Sequence, residues 1–221
     1  MMYRSMMALC VAGALCTVVQ AVPTSYSGSL TTADGGLVGI GGWAGAPNPV
    51  TFSWTVTQNP DLSWHYHYEF DSTDVQGEIS HMLIETSATF SAGDVWNASN
   101  PIEDGDPKSH GEFNGNFNIP EPLFGIKFEN ISGEVVAIDF DCPRVPVWGD
   151  VFLKGGDVSG QLWNAGFTSP DWDPIAPAQD GSLAWHVLVP DTLTTVPAPG
   201  ATVLAGIGTA LICWLRRRKT L

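Results

Sequence analysis

The sequence predicts an all-β body, a β-sandwich or jelly-roll-like ectodomain, set between two terminal processing segments. Three observations lead there. Apolar residues between about positions 50 and 190 recur with a period of two, and the helical period of 3.6 is nearly absent. The 24 glycines and 16 prolines fall largely between these alternating runs, as turn residues do. The long uninterrupted apolar runs are confined to the two ends.

The N-terminus reads Met1-Met2-Tyr3-Arg4, followed by an apolar run over 6–19 and then Val19-Gln20-Ala21. A positive start, a run of that length and a small residue before the cut predict a secretory signal peptide over 1–21. The run is short for a membrane span, which needs about 20 residues. Leu9 and Leu15 precede Cys10 and Cys16, where a lipoprotein signal needs a small residue.

The predicted ectodomain covers 22–191. Phe52, Trp54 and Val56 alternate with Thr and Ser, and Trp64, Tyr66, Tyr68 and Phe70 alternate with His65, His67 and Glu69. Met82 and Ile84 face away from Leu83 and Glu85, and Val136, Ile138 and Phe140 alternate with Ala137, Asp139 and Asp141. Residues 148–154 and 183–189 are further strand candidates. Turns are expected at Asn59-Pro60-Asp61, Gly77, Ser132-Gly133, Gly155-Gly156 and Asp180-Gly181. One short helix is expected over 92–97, capped by Ser91. Residues 98–122, rich in Asn, Gly, Pro and acid, read as a long surface loop. A second loop is expected over 168–179 and a spacer over 192–196.

The body contains Cys142 as its one cysteine, so it has no internal disulfide and must rest on an ordinary apolar core. All 23 acidic residues lie between Asp34 and Asp191, against 4 basic residues over 22–196, a net charge of −19 where the whole chain has −14. That balance excludes nucleic-acid binding through a basic face and disfavours anionic lipid.

The C-terminus has three parts: Val196-Pro197-Ala198-Pro199-Gly200, an apolar run over 201–215, and Arg216-Arg217-Arg218-Lys219. The prolines make a stiff, non-helical lead. The run reaches about 22 Å as a helix, and snorkelling arginines with local thinning can make up the difference to the hydrocarbon core. The cations hold that end in the cytoplasm. This tail resembles the PEP-CTERM sorting signal, also described as the ice-binding-protein C-terminal domain, over 196–221. Its motif residues here are Val196, Pro197, Pro199, Gly200, Arg216, Arg217 and Arg218, with Ala198 where the archetype has Glu. The resemblance implies export in a Gram-negative bacterium and recognition at the inner membrane by an exosortase, often beside extracellular polysaccharide. The body also looks like an uncharacterised ectodomain attached to such tails. The matching pieces are Trp64-x-Tyr66-x-Tyr68, Ile79-Ser80-His81, Gly125-Ile126-Lys127-Phe128, Pro146-Val147-Trp148-Gly149-Asp150 and Trp163-Asn164-x-Gly166-Phe167; the resemblance brings no activity with it.

Candidate chemistry is sparse. His65, His67 and Glu69 share one face of a strand and form a possible metal set, with His81 or His186 to complete it; a solvent-facing polar edge is the plainer reading. Residues spaced two apart on a strand lie about 6.6 Å apart, too far to close a site unaided. Glu103-Asp104-Gly105-Asp106 and Asp171-x-Asp173 are possible calcium clusters, and otherwise solvated loop acids. Of the eight body tryptophans, Trp96 and Trp172 are the candidates for surface glycan stacking, the rest being core. The familiar nucleophile, zinc-protease and phosphate-loop motifs are missing. The expectation is therefore an exported, non-catalytic surface or matrix protein without a cofactor. A glycan- or calcium-dependent adhesion module and a secreted hydrolase are the alternatives.

Overall fold

The computed structural model describes residues 24–44, 49–73, 78–156, 160–168 and 173–190. The expected signal peptide, spacer and sorting tail lie outside them, as do Gly77, Asp171 and Trp172. Among the described residues, no helix is long and apolar enough to cross a membrane.

The body is all-β, as its alternation predicts. A four-stranded antiparallel sheet runs β1 (Ser25–Thr31), β3 (Thr51–Gln58), β4 (Trp64–Asp71) and β8 (Val135–Cys142). A six-stranded sheet runs β2 (Leu37–Gly41), β11 (Gly160–Asn164), β10 (Val151–Gly155), β5 (Ile79–Glu85), β7 (Leu123–Phe128) and β6 (Lys108–His110). A small third sheet pairs β9 (Pro146–Gly149) with β12 (Val187–Pro190).

The alternation on β4 explains the packing. Trp64, Tyr66, Tyr68 and Phe70 turn inward and are buried, while His65, His67 and Glu69 turn outward. Phe52, Trp54 and Val56 of β3 and Ile138, Phe140 and Cys142 of β8 join them in one core. From the facing sheet come Met82, Ile84, Ile126, Phe128, Val151 and Leu153. The rings of Phe140 and Phe128 meet across the two sheets at 5.3 Å, and Tyr66 stacks on Phe140 at 5.1 Å. Their buried phenols are satisfied: Tyr66 donates to the Arg144 carbonyl at 3.0 Å and Tyr68 to the Leu188 carbonyl at 2.8 Å.

Four expectations need correction. Residues 98–122 are not a plain surface loop. They include β6, and they cover the outer face of the six-stranded sheet, where Ile119 buries against Leu83, Phe152 and Leu123 of β7. The polar composition of that segment hides an apolar anchor, Ile119, and Asn116, which is fully buried. The expected helix over 92–97 is a single 3₁₀ turn, Ala92–Asp94, whose Asp94 carboxylate accepts from the Ser91 N–H at 2.9 Å. The expected strand over 148–154 is broken at Asp150, and its two halves, β9 and β10, belong to different sheets. The expected strand over 183–189 begins only at Val187, because Ala184 and Trp185 adopt left-handed φ values of 51° and 64°.

Because Phe140 touches three rings and both sheets, Phe140→Ala should lower the unfolding free energy by about 3–5 kcal/mol. Val135→Ala, at an exposed site on the same strand, should change it by less than about 0.5 kcal/mol. Urea denaturation of both variants checks the contrast.

Candidate functional site

Three groupings of titratable side chains arise from the fold. The first is on the outer face of the four-stranded sheet. The antiparallel register sets His65 opposite Asp141 and His67 opposite Asp139, and sets Glu69 opposite Ala137. His65 Nδ1 lies 2.9 Å from Asp141 Oδ1, and His67 Nδ1 lies 2.6 Å from Asp139 Oδ1. His65 Nε2 is also 3.4 Å from the same Asp139 oxygen. The histidines therefore pair with carboxylates of β8 and not with Glu69, which stands exposed. Part burial pushes Asp141 up, but hydrogen bonds from Asn97, His65 and Asn59 outweigh it and hold the carboxyl below its ordinary value. This is a half-exposed ladder of charge-assisted pairs, closed on itself.

Neither histidine named to complete that set can reach it. His81 is on β5 and faces the covered outer side of the other sheet, with Nε2 2.9 Å from Asn116 Oδ1. Burial drives its pKa down to about 4, assisted by the charges of Lys127, Lys154 and His110. His186 belongs to the third grouping below.

The second grouping is Glu103, Asp106 and His110 beside β6. Lys108 Nζ lies 3.3 Å from both Glu103 and Asp106, and Lys127 Nζ lies 3.5 Å from Glu103. Two ammonium groups already answer these carboxylates. Asp106 also accepts the Lys127 backbone N–H at 2.6 Å. Burial raises its pKa, but contacts with His110, Lys127 and Lys108 bring it below the usual range. The cluster predicted at Glu103–Asp106 is an ion-pair network that fastens the covering segment to β7.

The third grouping has no such cations. Asp150 sits at the break between β9 and β10 with a fully buried side chain. His186 is 4% exposed, and Asp173 has an 18% exposed side chain. The three ligand atoms lie within 4.8 Å of one another. His186 Nε2 stands 3.2 Å from Asp173 Oδ1 and 3.7 Å from Asp150 Oδ1. The Asp150 contact is beyond hydrogen-bond reach, and the Asp173 contact does not form a well-aligned hydrogen bond, so His186 Nε2 and Asp173 Oδ1 lack a well-formed partner. The groups behind them are well held. Asp150 Oδ1 accepts from Asn164 Nδ2 at 2.7 Å, and Oδ2 accepts from the Thr168 N–H at 2.8 Å. His186 Nδ1 donates to the Leu183 carbonyl at 3.2 Å, so in the neutral ring the lone pair is on Nε2. Burial, with the charge of Asp173 added, pushes the Asp150 carboxyl up to about 7. Burial alone would lower His186, but Asp173 and Asp150 beside it hold it above its ordinary 6.5.

Local sequence explains this placement. The left-handed turn at Ala184-Trp185 rotates His186 inward ahead of β12. Gly166 makes room for the ring: a Cβ there would stand 2.8 Å from His186 Cε1 and 2.3 Å from the Ala184 carbonyl. The pieces Trp148-Gly149-Asp150 and Trp163-Asn164-x-Gly166-Phe167 thus converge on one point. Of the two acids in Asp171-x-Asp173, Asp173 joins this cluster. The sequence reading missed Asp150 because it sits mid-run between apolar residues; the charge inside an otherwise buried strand was the available signal.

Trp96 is 38% exposed and bridges Asp141, its N–H donating to the Asp141 carbonyl at 3.1 Å. Trp185, taken as core, is 44% exposed. Cys142 is buried and free, and burial pushes its thiol up to about 12.

No family model, curated protein or solved structure matches the chain.

His81 has a folded pKa below its unfolded one, so it stabilises above about pH 6.5 and loses that contribution as pH falls toward 4. The loss amounts to about 3 kcal/mol. His81→Gln should flatten the fall in urea-unfolding free energy between pH 6.5 and 4 relative to the parent chain.

Proposed function

We propose that the chain is an exported, non-catalytic surface or extracellular-matrix protein of a Gram-negative bacterium, addressed by its C-terminal segment to an exosortase at the inner membrane. The observation that carries this reading is the charge partition. A body of net −19 over 22–196 is followed by an apolar run and then Arg216-Arg217-Arg218-Lys219. By the positive-inside rule that order holds the tail in the cytoplasm and the acidic body outside. A dense aromatic core is consistent with a domain that persists outside the cell. The acidity supports solubility and association with cations.

A second reading has one observation in its favour. Trp96 is 38% exposed, and its backbone pairs with Asp141, whose carboxylate is bonded to Asn97, His65 and Asn59. An aromatic face bordered by polar groups is the chemistry that stacks and orients a sugar ring. Extracellular polysaccharide is the corresponding partner.

In a host carrying an exosortase, mass spectrometry of the mature protein should find the chain truncated before Arg216. An intact terminus at Leu221 would overturn the sorting assignment. For the glycan reading, Trp96→Ala should reduce retention on a polysaccharide column at least about tenfold, with thermal stability nearly unchanged.

A further inference from the structure

We propose that Asp150, Asp173 and His186 form a binding site for a divalent transition-metal ion of the zinc type, tying the segment before β12 to the break between β9 and β10. This does not rest on the export reading.

Four observations converge. The first is geometry. Two ligands held about 2.0–2.1 Å from a tetrahedral ion lie about 3.3–3.4 Å apart. His186 Nε2 is 3.2 Å from Asp173 Oδ1 and 3.7 Å from Asp150 Oδ1, which brackets that spacing. The second is orphaned polarity. Nε2 of a nearly buried imidazole has no well-formed hydrogen bond, although two carboxylates lie within 3.7 Å of it. An imidazole nitrogen so placed, with its ligand atom within 4.8 Å of those of both carboxylates, suits an ion held between the three groups. The third is the support behind the ligands. Metal-binding imidazoles donate their other N–H to a carbonyl or carboxylate, and metal-binding carboxylates accept hydrogen bonds of their own. His186 donates to Leu183, and Asp150 accepts from Asn164 and Thr168. The fourth is charge. Among the described residues no lysine or arginine pairs with Asp150 or Asp173, in contrast to the lysine-filled cluster at Glu103 and Asp106. Among the described residues the group that answers both carboxylates is His186 itself, and a divalent ion held by its neutral ring would cancel both charges.

The ligand set selects the class of ion. Calcium takes six to eight oxygens at longer distances, and an imidazole is foreign to it. One nitrogen and two carboxylate oxygens suit zinc and its neighbours. Three protein ligands leave a fourth position. The Thr168 hydroxyl is buried without a partner and belongs to the residue whose N–H holds Asp150. It or a water can fill that place.

The test uses the full-length chain, purified without a histidine tag, stripped with EDTA and titrated with Zn²⁺ by calorimetry and with Co²⁺ by visible absorption. One ion per chain is expected, with a tetrahedral Co²⁺ spectrum and a melting temperature that rises on Zn²⁺ addition. Asp173→Asn, the least buried ligand, and His186→Gln should each weaken binding more than about a hundredfold, beyond the usual effect of losing a supporting group. Gly166→Ala should weaken it at least about tenfold by displacing the imidazole. A His65→Gln/His67→Gln double variant should bind as the parent does. Circular dichroism establishes that each variant is folded. If His186→Gln does not fold, Asp173→Asn decides alone. Binding that is absent in the parent chain, unchanged in Asp173→Asn, or lost in the His65/His67 variant overturns the proposal. So does calcium binding, read by terbium displacement, in the absence of zinc binding.

Discussion

The contact on which the rest depends is the meeting of Phe140 and Phe128 between the two sheets. Each sheet alone would leave an aromatic face in water, and neither could pay the conformational entropy of ordering its chain. Phe140 sits in the cross-strand neighbourhood of Tyr66 and Tyr68, so the stacking continues through β4 to Phe52 on β3. The tips of the two tyrosines reach out of that layer to backbone carbonyls at Arg144 and Leu188. The same rings thereby position the β9–β12 pair, and with it Asp150 and His186. The candidate centre is a consequence of the aromatic layer as much as of its own residues.

Where one face is buried and the other wet, the pattern of side chains states the structure openly. That is why β3, β4 and β8 were legible in the alternation, with their inward and outward faces in the right sense. The six-stranded sheet is covered on both sides around Leu83, Phe152 and Leu123, and there alternation carries less information. The covering segment was illegible for a different reason. Its composition is polar, and it docks through Ile119, the buried Asn116 and the ion pairs of Glu103 and Asp106.

Two expected strands failed at the same point in space. The run over 148–154 was interrupted by Asp150, and the run over 183–189 by a pair of left-handed residues before His186. Local preference would have continued both strands. Non-glycine residues at positive φ store strain that the surroundings must offset, and such strain gathers where side-chain aim matters more than backbone comfort. By contrast, the face of β4 that seemed the best ligand set is spoken for by its neighbouring strand. Single-strand spacing could place His65 and His67 together but had no means of foreseeing Asp139 and Asp141 opposite them.

Cys142 has a consequence of another kind. It is the one thiol among the described residues, so in an oxidising environment a disulfide formed by the sandwich would join two chains or capture a small thiol. Reactivity of that sort needs an accessible thiolate. Cys142 is sealed at the inner end of β8 with its pKa pushed to about 12, so it offers neither access nor anion. The sandwich is therefore redox-silent, and its state of assembly should be the same in reducing and oxidising surroundings.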